Sequence, residues 1–74
     1  MTDKDLLYKV SGALRRLRLN AGYTAAAKFA NAADINHVNY YRLESGKNMT
    51  LTTLNKILQF HNLTFKEFCE KEIK

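Results

Sequence analysis

The chain of 74 residues has no proline and no tryptophan, only three glycines, one cysteine and two histidines. Each shortage excludes something. Without proline, no residue is barred from a helix interior. With so few glycines there is no glycine-rich loop to cradle a phosphate. A single cysteine allows no internal disulfide, so Cys69 is expected as a reduced thiol in a cytosolic protein. His37, His61 and Cys69 are the only good soft-metal ligands, and their spacing matches no zinc signature; no metal or cofactor is expected. No Ser/His/Asp arrangement can be defended, and an enzyme is not expected. No apolar run approaches the roughly 18 residues that span a membrane. The opening Met-Thr-Asp-Lys-Asp is polar and acidic, unlike a secretory signal. The chain therefore reads as soluble and cytoplasmic.

Hydrophobic residues make up 46% and charged residues 26%, a globular rather than disordered balance that fits one domain over residues 1–74. The formal charge of +5 leans toward a polyanionic partner. Residues 1–22 carry Lys4, Lys9, Arg15, Arg16 and Arg18 against Asp3 and Asp5. The tail alternates Lys66, Glu67, Glu70, Lys71, Glu72 and Lys74, the pattern of a solvated helix face.

Helical spacing recurs along the whole chain, and no alternating strand pattern survives more than a few residues. Thr2 and Asp5 form a capping-box pair ahead of the stripe Leu7, Val10, Leu14 and Leu17, predicting a helix over 3–20. Gly12 inside it costs about 1 kcal/mol relative to Ala, and Gly22 can supply a left-handed cap. Thr24 is placed to cap a second helix whose inner side is Ala26, Phe29, Ala30 and Ala33. Asn36 caps a third, 37–45, stopped at Gly46. Thr50 starts a fourth with Leu51, Leu54, Ile57, Leu58 and Phe60 inward, ending at Asn62. Thr64 and Glu67 box a fifth with Phe65 and Phe68. The fold class is all-α, a compact bundle of five short helices.

Helices two and three carry the information. They meet through Asp34, Ile35 and Asn36, and the alanines of the first let the second approach closely. This is the layout of a helix-turn-helix, whose second helix enters the DNA major groove. Tyr40 and Leu43, with Ile35, are expected inside; His37, Val38, Tyr41, Arg42 and Ser45 fall on the opposite side. Arg is the commonest partner of guanine O6 and N7, a His can donate to a base acceptor, and Val can press on a thymine methyl. Of the tyrosines, Tyr8, Tyr23 and Tyr40 read as packing residues and Tyr41 as a binding candidate.

Three stretches carry a resemblance to a known family. They are Leu14-Arg-Arg-Leu17-Arg18 with Gly22 four residues on, residues 35–47 (INHVNYYRLESGK), and Leu51-Thr-Thr-Leu54 through Phe68. Over about residues 10–69 the chain resembles the phage-repressor/Cro (XRE, lambda-repressor-like) helix-turn-helix domains. The resemblance implies a sequence-specific transcriptional regulator, nucleoid-associated, that binds double-stranded DNA and needs no cofactor. It implies base contacts from His37, Val38 and Arg42, joined by Tyr41 from the face just described. Backbone contacts would come from Asn36, Asn39 and Ser45 on helix three, from Thr24, Ala25 and Lys28 at helix two, and from Lys47, Asn48 and Thr50 in the following loop. It further implies a salt bridge between Arg18 and Glu44. It places His61 where the family has an apolar residue, so a partly buried histidine is expected. A homodimer on a pseudo-palindromic operator is expected, with Phe60, Leu63, Phe65, Phe68 and Ile73 of helices four and five as contacts. Three departures accompany the resemblance. Ala25 stands where the family has a phosphate-holding Gln, the stretch from Gly22 to Phe29 is one residue longer, and Asp34 replaces the glycine of the turn. The departures leave room for an alternative: a protein-interaction module of the same fold, antitoxin-like, with weak or no specific DNA binding.

Overall fold

The computed structural model describes residues 2–47 and 49–73. These form five α-helices, α1 (Asp3–Asn20), α2 (Ala26–Ala32), α3 (His37–Glu44), α4 (Leu51–Phe60) and α5 (Phe65–Glu72), and no strand. Local chemistry sets most of the boundaries. At α1 the Thr2 hydroxyl accepts from the Asp5 N–H at 3.2 Å while the Asp5 carboxylate accepts from the Thr2 N–H at 3.1 Å, and Thr64 and Glu67 repeat this box at α5. Thr50 caps α4 by accepting from the Thr53 N–H.

The first four helices end by one device. A residue in the left-handed region follows the last turn, and the next N–H reaches back to the carbonyl five residues earlier. The left-handed residues are Gly22, Asp34, Gly46 and Asn62, with φ of 92, 57, 85 and 58°. The closing bonds run from Tyr23 to Arg18, Ile35 to Ala30, Lys47 to Arg42 and Leu63 to Leu58, at 2.8–3.1 Å. At Gly46 the demand is conformational: its φ is one that side chains avoid, while a Cβ there would meet the Tyr8 ring at an ordinary contact distance of 3.7 Å.

Three expectations about these elements are corrected. Thr24 does not cap α2. The helix begins one residue later with Ala25 as N-cap, whose methyl group offers no acceptor, while the Thr24 carbonyl accepts from Arg18. Leu51 does not face inward and is 74% exposed; as the first residue of α4 it precedes the turn that packs. α3 ends at Glu44 rather than Ser45. Ser45 is the C-cap, and its hydroxyl turns back onto the Tyr41 and Arg42 carbonyls.

One core joins all five helices: Leu14 of α1, Phe29 and Ala30 of α2, Tyr40 and Leu43 of α3, Leu54, Ile57 and Leu58 of α4, and Phe68 of α5. Burying each large side chain contributes roughly 1.5–3 kcal/mol. Phe29 is the hub, with ring centroids of Tyr23, Tyr40, Phe60 and His61 at 4.9–5.5 Å. α2 and α1 both pack on α3, which is thereby fixed from two sides; α5 packs on α4. Phe68 is 1% exposed and belongs to this core, so it is not available to a second copy of the chain. Among the described residues no helix is long and apolar enough to cross a membrane.

Candidate nucleic-acid interface

The polar framework that orients α3 comes from α1. Arg18 and Glu44 form an ion pair, with Arg18 Nε donating to Glu44 Oε2 at 2.6 Å and Nη2 to Oε1 at 3.1 Å. Both side chains are nearly excluded from solvent. Arg18 Nη1 also donates to the Tyr23 and Thr24 carbonyls, at 2.8 and 2.9 Å. One guanidinium thus ties the end of α1, the lead-in to α2 and the last turn of α3 together. The Glu44 carboxylate hydrogen-bonded to it raises the Arg18 pKa, with burial opposing. Tyr40 lies beside the pair, and burial pushes its phenol above the ordinary range.

A second brace was not foreseen from sequence. The Ser11 hydroxyl, buried in α1, donates to the Leu43 carbonyl at 2.6 Å. A serine between Val10 and Gly12 gives no local signal of this, because its partner lies 32 residues away.

The far side of α3 is built by its cap. The Asn36 Oδ1 accepts from the Val38 N–H at 2.9 Å and the Asn39 N–H at 3.2 Å, satisfying two of the first-turn donors. With Tyr40 and Leu43 turned into the core, the helix presents His37, Val38, Tyr41 and Arg42 to solvent, Val38 at 56% and Tyr41 at 66% exposure. Holding an apolar Val and a Tyr this far out of the core yields no burial, so their positions are not set by packing.

The remaining candidates surround this face along three clefts. Thr24, Ala25, Tyr41 and Ser45 line one of about 620 Å³. Lys28, Asn36 and His37 line a second of about 370 Å³. Asn36, Asn39, Arg42 and Thr50 line a third, also of about 370 Å³. Lys47 is exposed just past Gly46 and lines none of them, while Asn48 lies outside the described residues. The clefts also contain residues that sequence reasoning passed over: Arg15 in the first, Thr53 and Lys56 in the third. Thr50, Thr53 and Lys56 follow at steps of three on α4, a spacing that puts them on one side. The Lys56 ammonium donates to the Asp34 carbonyl at 2.7 Å and so bridges α4 to the α2–α3 turn.

His61 is half-buried, stacked on Phe29 with ring planes 10° apart. Its Nε2 is buried without a hydrogen-bond partner among the described residues, and burial lowers its pKa. It is a packing histidine, remote from α3's outer face in role. Among the described residues no group of three His, Cys, Asp or Glu could hold a metal ion. Comparison with protein-family models, curated proteins and solved structures finds no match for this chain.

Proposed function

We propose that this chain is a sequence-specific DNA-binding regulator in which α2 and α3 act as a helix-turn-helix and α3 reads the major groove. The observation that carries the proposal is the sorting of α3. Its inner residues are locked by core packing, a near-buried ion pair and the Ser11 bond, while His37, Val38, Tyr41 and Arg42 stand outward with no structural task. A rigid helix presenting a donor pair, a methyl-bearing side chain and an aromatic suits base-edge recognition. The net charge of +5 and the resemblance to phage-repressor/Cro domains point the same way.

A single helix reads only a few base pairs, so the regulator acts as a homodimer on two half-sites about 34 Å apart. The chain measures 32 × 22 × 21 Å between Cα extremes, a size that lets a two-fold pair reach that spacing. Large apolar side chains left in solvent gather at Leu6, Leu51 and Phe65, around a groove closed by Val10, Met49 and Ile73. The dimer contacts are assigned there, to Phe65 and Ile73 of the residues named from sequence, with Leu6 and Leu51 added.

One observation favours a second reading, a protein-interaction module of the same fold: α2 opens at Ala25, which has no side chain to hold a phosphate. Duplexes recovered by in-vitro selection separate the two. Arg42→Ala is expected to relax preference at particular base positions, whereas Lys47→Ala weakens all sequences about equally. If selection enriches no sequence and Arg42→Ala changes nothing, the partner-binding reading replaces this one.

A further inference from the structure

The same opening of α2 raises the question of what grips the DNA backbone there. Resting on the DNA-binding reading, we infer that Arg15, with Thr24 and Tyr41, forms a phosphodiester-binding cleft between α1, α2 and α3 that replaces a side-chain clamp at α2. The cleft of about 620 Å³ is walled by Ala25, Ala26 and Ala27, floored by the Arg18–Glu44 pair and rimmed by Arg15 and Tyr41.

Charge decides what such a cleft accepts. Glu44 has both carboxylate oxygens engaged by Arg18, so the pair on the floor is neutral as a unit. Arg18 spends four N–H groups on Glu44, Tyr23 and Thr24 and is not available to a ligand. Arg15 is exposed and has no ion-pair or hydrogen-bond partner among the described residues, which leaves the cleft one positive charge in excess. Ser45 does not contribute, because its hydroxyl is turned back onto α3. The donors that face a ligand are therefore the Arg15 guanidinium and the Thr24 and Tyr41 hydroxyls, a set that matches a singly charged phosphodiester. The three alanines contribute only methyl groups to the lining, so they add neither charge nor hydrogen-bonding groups to the cleft. The cleft shares Tyr41 with the reading face of α3, so a strand whose bases meet His37 and Arg42 brings its backbone past Arg15.

The test uses the full chain and the duplex it selects, titrated between 50 and 200 mM salt. Arg15→Ala is expected to flatten the slope of log K against log salt by about 0.9, the release of one phosphate's counterions, so the affinity lost over that range shrinks by about 3.5-fold. Arg15→Lys is expected to keep the slope. Arg16→Ala serves as the control, since Arg16 pairs with Glu72 at 3.4 Å and lines a different cleft. A single methylphosphonate that neutralises the gripped phosphate should weaken wild type and leave Arg15→Ala unchanged. If wild type binds its selected duplex steeply with salt, yet Arg15→Ala has the same slope, the cleft assignment is overturned and the DNA reading stands. If wild type binds no duplex at low salt, both are overturned.

Discussion

Arg18 ties three segments of this molecule together, because four of its N–H groups reach Glu44, Tyr23 and Thr24. Glu44→Gln leaves that guanidinium buried and uncompensated, and a loss of about 3–5 kcal/mol is expected in urea unfolding. Pairing Arg18→Met with Glu44→Leu should restore only part of this, because the Tyr23 and Thr24 carbonyls lose their donor. Removing the Ser11 hydroxyl (Ser11→Ala) strands one carbonyl lone pair and is expected to cost about 1 kcal/mol. His61 sets a pH dependence. Its folded pKa lies below the ordinary value near 6.5, so the unfolded chain binds more protons in that window. Stability is therefore full above pH of about 6.5 and falls as pH is lowered through the window between the two pKa values; His61→Phe should remove that slope in thermal melts. The Arg18–Glu44 pair was legible in the chain only through family resemblance, and the Ser11 brace not at all. Partners 26 and 32 residues apart leave no mark on local periodicity.

At the scale of elements, the sequence was far more readable, because caps act within four residues of themselves. Thr2, Asn36, Thr50 and Thr64 each sit where a side-chain oxygen meets the first-turn N–H groups, and each starts its helix. Thr24 does not cap because α2 starts one residue later, with Ala25 as its N-cap, and the Thr24 carbonyl instead accepts from Arg18. Leu51 went wrong because a period of 3.6 tells which residues share a side but not where a packed stripe ends. The outer face of α3 could be listed from spacing, yet its exposure depended on α1 and α2 covering the other side. Asp34 tests this level. At φ 57° it takes a conformation that favours glycine, and its one tertiary bond among the described residues is through the backbone carbonyl. Asp34→Gly is expected to raise stability by up to about 1 kcal/mol while leaving α3's presentation intact. Asn36→Ala removes two N–H partners and should lower stability by about 1 kcal/mol, loosening the very turn that carries His37 and Val38; amide exchange at Val38 and Asn39 would report it.

At the scale of the whole molecule, two surfaces among the described residues bear on function. One is the polar face of α3 with its three clefts, the other the apolar groove beside Leu6, Leu51 and Phe65. If that groove is the dimer contact proposed above, Phe65→Asp, at a side chain 51% exposed, keeps the fold and shifts sedimentation from dimer to monomer. The central claim, that the α3 face reads DNA, is tested most directly by titrating a duplex selected by the chain, and a scrambled duplex of equal length, at rising salt. The account predicts that log K falls linearly with log salt for both, with the selected duplex held more tightly throughout. Equal and negligible binding of both duplexes at low salt would contradict it.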